Sequence, residues 1–403
     1  MRVAKRGILW TGLEKAAVYG IGLAQSVALA RLLRPADFGL AAMLGVFLNI
    51  GETLAESGLG TALVVLGKPG KEVERAALKW NLGIAAGLYA LLCAGSWPIS
   101  RFYGEPVLVP LLCVMALGLL AHAASVVALA RLTREMAFGR LAWVHACSTL
   151  CAGGVAVLCA WRGGGVWSIA ALTLVMACVR TALAWWFAGP KGEDGAASGA
   201  RAACAFRPTL RLGLAFMASG LVWNVYVNLS QLIIGKLYSP AAVGLFVRGQ
   251  RWATMPGEVV NESVARVALP TLSRARAAGE RAAGRAFLAL NCALLWPGLA
   301  ALWIWGHEIV GLVLGEAWVA CVPYMRVMIW GAALTAVSSL VLTDIKARGA
   351  GKALLRTDLF KKPVGVAAVA LGAFWGIEGL AWAFVVGQLA EVLADVWVWK
   401  RLK

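Results

Sequence analysis

Apolar residues run along this chain in long stretches, each about the length of a membrane crossing and separated by short polar breaks. A helix needs about 20 predominantly apolar residues to span the hydrocarbon core of a bilayer. Twelve stretches meet that requirement: residues 8–30, 38–62, 78–99, 107–130, 141–160, 166–188, 210–235, 241–265, 286–305, 319–343, 354–375 and 378–399. The longest break, about 189–209, is rich in Gly, Ala and Arg and falls at mid-chain. The pattern predicts an all-α integral membrane protein of about twelve transmembrane helices. Residues 1–190 form an N-terminal six-helix lobe, 191–209 a cytoplasmic linker and 210–403 a C-terminal six-helix lobe.

Composition agrees. Of 403 residues 61% are hydrophobic and 14% charged, with a mean hydropathy of +0.77. Soluble domains run nearer half apolar and a quarter charged. The net charge of +18 would point to nucleic acid in a soluble chain. Its distribution points elsewhere. With the N-terminus cytoplasmic, alternate loops hold 25 basic residues on the inner side, from Arg2, Lys5 and Arg6 to Lys400, Arg401 and Lys403. The outer loops hold five: Arg31, Arg34, Arg101, Arg162 and Lys236. That bias is the positive-inside rule, and it places both termini in the cytoplasm. Tryptophans such as Trp80 and Trp185 near the inner boundary, and Trp97 and Trp303 near the outer one, form the expected interfacial belts.

Little in the chain suits catalysis. The nine cysteines include no C-x-x-C pair, and His122, His145 and His307 are isolated in sequence. The basic start followed by an apolar stretch imitates a secretory leader. The stretch is too long for one and carries Glu14 and Lys15, so it reads as an uncleaved first transmembrane helix.

An internal repeat divides the chain. Arg31–Leu40 aligns with Lys236–Leu245 at an offset of 205, with Leu32/Leu237, Pro35/Pro240, Ala36/Ala241, Gly39/Gly244 and Leu40/Leu245 identical. Gly104-Glu105 likewise matches Gly315-Glu316, each just before the fourth helix of its half. Six helices is an even number, so both halves keep one orientation, as in parallel-repeat transporters that hold their substrate between halves near the midplane.

These residues resemble the polysaccharide transporter family, the Wzx-type flippases of the multidrug/oligosaccharidyl-lipid/polysaccharide exporter superfamily, with a flavour closest to the exporters of colanic-acid and succinoglycan type. Leu33-Arg-Pro-Ala-Asp-Phe-Gly-Leu40 looks like the family's opening signature, and Glu56-Ser-Gly-Leu-Gly60 resembles its second-helix motif. Leu129–Phe138, Gly163–Trp167, Gly244-Leu-Phe246, Leu269–Ser273 and Gly315–Trp318 resemble later family motifs in order and spacing. The chain departs in being short for the family and in having Val243 where the first half has Phe38. The resemblance implies a MATE-like fold. It implies no enzyme activity and no cofactor beyond coupling to a proton or sodium gradient. The implied cargo is a lipid-linked saccharide carried on undecaprenyl pyrophosphate, moved from the cytoplasmic to the outer leaflet of the bacterial inner membrane. Membrane lipids, a polysaccharide polymerase and chain-length machinery are the implied partners.

Ionisable groups inside spans are costly unless wet or paired, so they point to the pathway. Arg248, Arg251, Glu258 and Glu262 fall on one broad face of the eighth span, and Glu52 and Glu56 are four apart on the second. Arginine suits a pyrophosphate through forked, charge-assisted hydrogen bonds. Arg248, Arg251, Lys15 and Arg180 are therefore candidates for a cationic cavity, with Asn224, Asn228 and Gln231 as liners for the sugar. Glu52, Glu56, Glu258 and Glu262 are candidates for ion coupling or for internal pairs with the arginines. Pro256 and Pro297 are expected to interrupt their helices. A multidrug exporter of the same superfamily, with an acidic or aromatic cavity, is the alternative. A membrane polysaccharide polymerase or ligase is a distant one, because the outer loops are too short to carry an active site.

Overall fold

The computed structural model describes residues 20–65, 70–189, 199–277, 282–347 and 351–401, and all regular structure among them is helical. The predicted apolar stretches are helices wherever they are described. They are α1 (Gly20–Leu32), α2 (Pro35–Glu56), α3 (Leu59–Val65), α4 (Lys71–Tyr103), α5 (Leu108–Arg134), α6 (Phe138–Trp161) and α7 (Trp167–Ala188). Then follow α8 (Gly199–Leu237), α9 (Pro240–Ala277), α10 (Ala282–Ile304), α11 (Gly306–Leu314), α12 (Val322–Ala347), α13 (Gly351–Gly372) and α14 (Gly376–Arg401). Among the described residues, eight helical segments are long and apolar enough to cross a membrane. α8 and α9 are outside that set, and α9 carries the Arg248, Arg251, Glu258 and Glu262 series.

Four details differ from the sequence reading. The second span is two helices, α2 and α3, because Ser57 (φ 50°) and Gly58 (φ 61°) enter left-handed conformation. A short helix, α11, forms in the outer segment read as a loop, and a 3-10 turn, Glu316–Cys321, follows it. α9 and α10 continue through Pro256 and Pro297 without a break. A proline removes one ladder hydrogen bond, and neighbouring helices can satisfy the freed carbonyl. α8 begins at Gly199, inside the stretch read as linker, and 190–198 lie outside the described residues.

The chain divides into two compact units, Met1–Asn228 and Leu229–Lys403, so the division falls within α8. In unit 1, α5 is the central helix, packed by α2, α3, α4, α6 and α7. Leu108, Leu111, Leu112, Leu119, Ala123 and Leu132 along it are essentially inaccessible. In unit 2, α12 holds the corresponding place, packed by α9, α10, α13 and α14. Each central helix is the fourth span of its half by the predicted spans.

The repeated residues take equivalent local structures. Pro35 and Pro240 are the first residues of α2 and α9, where a missing N–H costs nothing. In α2 the Asp37 carboxylate accepts the Arg34 backbone N–H at 3.0 Å. In α9 the matching position is Ala242, and Ser239 Oγ instead accepts the Ala242 N–H at 3.4 Å. Gly104 (φ 77°) and Gly315 (φ 102°) both have positive φ, which disfavours most side chains, although only Gly104 is in the left-handed helical conformation.

Candidate functional site

Glu52 and Glu56 are one turn apart at the end of α2, just before the Ser57-Gly58 break. Ser57 closes that end twice, since its N–H and its hydroxyl both donate to the Leu54 carbonyl, at 3.1 and 2.9 Å. Gly58 lies against Gly213 of α8 so closely that a Cβ there would stand 2.1 Å from the Gly213 carbonyl oxygen. A Cβ on Gly213 would stand 2.6 Å from the Ser57 carbonyl oxygen. The glycine pair thus lets two backbones meet beside the carboxylates.

A cavity of about 330 Å³ opens at this point, lined by Asn49, Glu52, Thr53, Glu56, Thr61, His122, Met217 and Asn224, with Gly58 at its edge. Asn224 Nδ2 donates to Thr53 Oγ1 at 2.7 Å, and Asn228 Nδ2 donates to the Asn224 carbonyl at 2.8 Å. Asn228 is buried and orders the helix turn that presents Asn224. Behind the cavity, the Arg180 guanidinium donates to His122 Nδ1 at 2.6 Å. Its charge acts on both Glu52 and Glu56. Two bonds set this register of α7 on α5: Thr181 Oγ1 to the Ala121 carbonyl at 2.6 Å and Trp185 Nε1 to the Ala124 carbonyl at 3.0 Å. Among the described residues, Arg180 is the cation whose charge reaches both carboxylates, so the two carboxylates outnumber it when both are ionised.

Unit 2 places the α9 candidates differently from one another. Arg251 Nη1 bonds both carboxylate oxygens of Glu258 at 2.8 Å, and the two side chains are 50% and 40% exposed. Arg248 is buried, its guanidinium 4.9 Å from the centroid of the Trp318 ring in the 3-10 turn. Gln231 is half-buried. Lys15 lies outside the described residues, and so does the side chain of Glu262.

The partners of several polar groups here escaped the sequence reading. His122 reads as an isolated histidine, yet it is the partner of Arg180, 58 positions away. In unit 2, buried Lys361 of α13 pairs with buried Asp395 of α14, which also accepts Ser338 Oγ at 2.7 Å. Trp399 Nε1 donates to Asp344 at 2.5 Å. Asn291 of α10 links α9 and α12, donating to Asn261 Oδ1 at 2.8 Å and to the Ala336 carbonyl at 3.0 Å. The only sequence signal for the Lys361 pair is a lysine and an aspartate within apolar stretches of neighbouring helices.

The model of the polysaccharide biosynthesis protein family matches residues 28–323, most of the chain. The chain belongs to this family. Its relatives include the succinoglycan biosynthesis transport protein ExoT of Rhizobium meliloti (strain 1021), 25% identical over 97% of this chain and 79% of that protein. The lipopolysaccharide biosynthesis protein WzxC of Escherichia coli (strain K12) is 21% identical over 97% of this chain and 80% of its own length. Among solved structures, the lipid II flippase MurJ in an inward closed conformation superposes with a TM-score of 0.77, at 14% identity over 97% of this chain and 87% of that one. An inward-facing multidrug resistance MATE transporter follows with a TM-score of 0.69, at 16% identity over 95% and 94%. The family member described here is thus a multi-pass membrane protein with the fold that MurJ and MATE transporters share.

Proposed function

We propose that this protein is a flippase for a lipid-linked oligosaccharide, carried on undecaprenyl pyrophosphate, in polysaccharide biosynthesis. It moves the repeat unit from the cytoplasmic to the outer leaflet of the bacterial inner membrane, where a polymerase and chain-length machinery take it over. The observation that carries this reading is the family match, extended along nearly the whole chain by relatives named for succinoglycan transport and lipopolysaccharide biosynthesis. A fold shared with a lipid II flippase supports it.

The working form is twelve spans in two parallel six-helix lobes, with both termini cytoplasmic. The alternating basic loops support that topology. The matched prolines, positive-φ glycines and central fourth spans support the repeat. Lobes of this kind give alternating access by rocking about a central site. Arg248, Arg251 and Arg180, with Lys15, supply positive charge to the pyrophosphate. Asn224 and Gln231 serve the sugar, and Asn228, proposed from the sequence as a third liner, holds the turn that presents Asn224.

Coupling to a proton or sodium gradient resides at Glu52 and Glu56. Their open cavity, with Arg180 as their counter-charge among the described residues, suits a site that gains and loses one small cation. Glu258 serves as the ion partner of Arg251.

Deleting the gene in a polymer-producing strain tests the activity. Lipid-linked saccharide accumulates on the cytoplasmic side and surface polymer is lost, and the intact gene restores both. Unchanged polymer would sink the flippase reading. Drug resistance on overexpression, without a polymer defect on deletion, would favour the MATE alternative, to which the acidic cavity and the shared fold belong. Transport that persists unchanged after both gradients are collapsed would exclude ion coupling.

A further inference from the structure

We propose that a second pocket in unit 1, at the basic start of α4, the basic end of α5 and the tryptophan-bearing end of α7, binds the phosphate headgroup of an anionic membrane phospholipid. The pocket measures about 580 Å³ and shares no lining residue with the polar cavity. Lys71, Glu74 and Arg75 enter it from the start of α4, Arg131 from the last turn of α5, and Trp185 and Trp186 from the end of α7.

Position is the first argument. α4 has 33 residues. At about 1.5 Å per residue it is roughly 50 Å long, against about 30 Å of hydrocarbon. With its apolar middle centred in the bilayer, its first turns stand in the headgroup layer. The basic loops assign that layer to the cytoplasmic leaflet, whose anionic lipids attract such clusters.

Charge is the second. Buried Glu74 accepts Arg131 Nη2 at 2.5 Å and Arg134 Nη2 at 2.9 Å, while Arg131 Nη1 donates to the Gly189 carbonyl at 2.8 Å. Two arginines on one carboxylate form a rigid floor that is still positive. Lys71 and Arg75 add to it, and Glu72, 3.8 Å from Arg75, offsets one charge.

Shape is the third. Leu78 and Val127 give the pocket an apolar wall. The Trp185 indole is fixed by its bond to Ala124, and Trp186 is 81% exposed. A free phosphate has no use for such a wall, whereas the glycerol and first methylenes of a phospholipid do.

The test uses the full chain, delipidated in detergent and read by native mass spectrometry after addition of phosphatidylglycerol or phosphatidylcholine. Phosphatidylglycerol is expected to be retained about tenfold more strongly, and Lys71→Gln with Arg75→Gln to abolish the difference, since each surface cation contributes modestly to such binding. Both substitutions are at a helix start and leave the Glu74 floor intact. Trp186→Ala, at an exposed position, is a second variant and is expected to weaken retention without altering charge. Equal retention of the two lipids, or no change in any variant, would overturn the proposal. Displacement by millimolar inorganic phosphate would also overturn it, assigning the pocket to a free anion. The added lipids contain no saccharide carrier, so the result stands apart from the flippase reading.

Discussion

Arg251 and Glu258 are each close to half exposed, and an ion pair in that state contributes about 0–1 kcal/mol to stability. Arg251→Ala should therefore leave the thermal midpoint of the purified protein nearly unchanged. If Arg251 serves the pyrophosphate, the same variant cuts polymer export severely at normal protein level. Export that stayed intact in Arg248→Ala with Arg251→Ala would remove the cationic patch from the mechanism. Arg180 differs, because it donates to His122 in a partly buried place and its charge reaches Glu52 and Glu56. Losing a hydrogen bond from a charged donor costs about 1.5–3 kcal/mol, and cavity water reduces that. Arg180→Ala should lower the midpoint measurably, and adding Glu56→Gln should recover part of the loss by removing a carboxylate left without its counter-charge. A double variant no more stable than Arg180→Ala would show that the guanidinium does not act on Glu56. The sequence makes one half of this cluster readable: Glu52 and Glu56 share a helix face by spacing alone. The other half comes from α5 and α7, more than sixty residues away, and helical periodicity says nothing about which spans pack together.

At the scale of elements, long apolar runs and loop charges were enough to locate nearly every helix, because a bilayer demands them. The break between α2 and α3 was not legible. Glu56-Ser-Gly-Leu-Gly60 contains no proline and lies within an apolar run, and only the approach of Gly213 shows why the chain turns there. The Arg251–Glu258 pair was legible as one of the alternatives for α9, since both residues belong to one helix, whereas the burial of Arg248 against Trp318 depends on a turn about seventy residues on. The break gives a sharp expectation. Gly213→Ala puts a methyl group 2.6 Å from a backbone oxygen that no rotamer can move. Overpacking of that kind costs about 1–3 kcal/mol, and Gly58→Ala adds the strain of a left-handed alanine. Both variants should show reduced folded yield on size-exclusion chromatography. Gly87→Ala in α4, with nothing within 4 Å of the added carbon, should be neutral. Equal yields for all three would mean that α8 does not press on the break.

For the whole molecule, the decisive property is the side of the membrane on which each loop lies, because a flippase must take cargo from the compartment where it is made. The basic residues give 25 against five across alternate loops, and one missed or spurious span would invert the assignment of everything beyond it. Arg140 at the start of α6 and Arg162 just after its end test this across one helix. Arg140 Nη1 donates to the Phe187 carbonyl at 3.3 Å, tying the start of α6 to the end of α7, whereas Arg162 belongs to the Gly-rich turn at the opposite end of α6. In a background with the nine native cysteines replaced, R162C should react with a membrane-impermeant thiol reagent added to intact cells, and R140C should not. Inverted vesicles should reverse the pair. A matching test at Lys236→Cys, beyond α7 and most of α8, extends the argument past mid-chain: labelling from outside requires an even number of crossings between Arg162 and Lys236. Labelling of Lys236→Cys only from the cytoplasmic side would make that number odd. The two halves would then be inverted relative to each other, and the parallel six-plus-six arrangement would have to be abandoned.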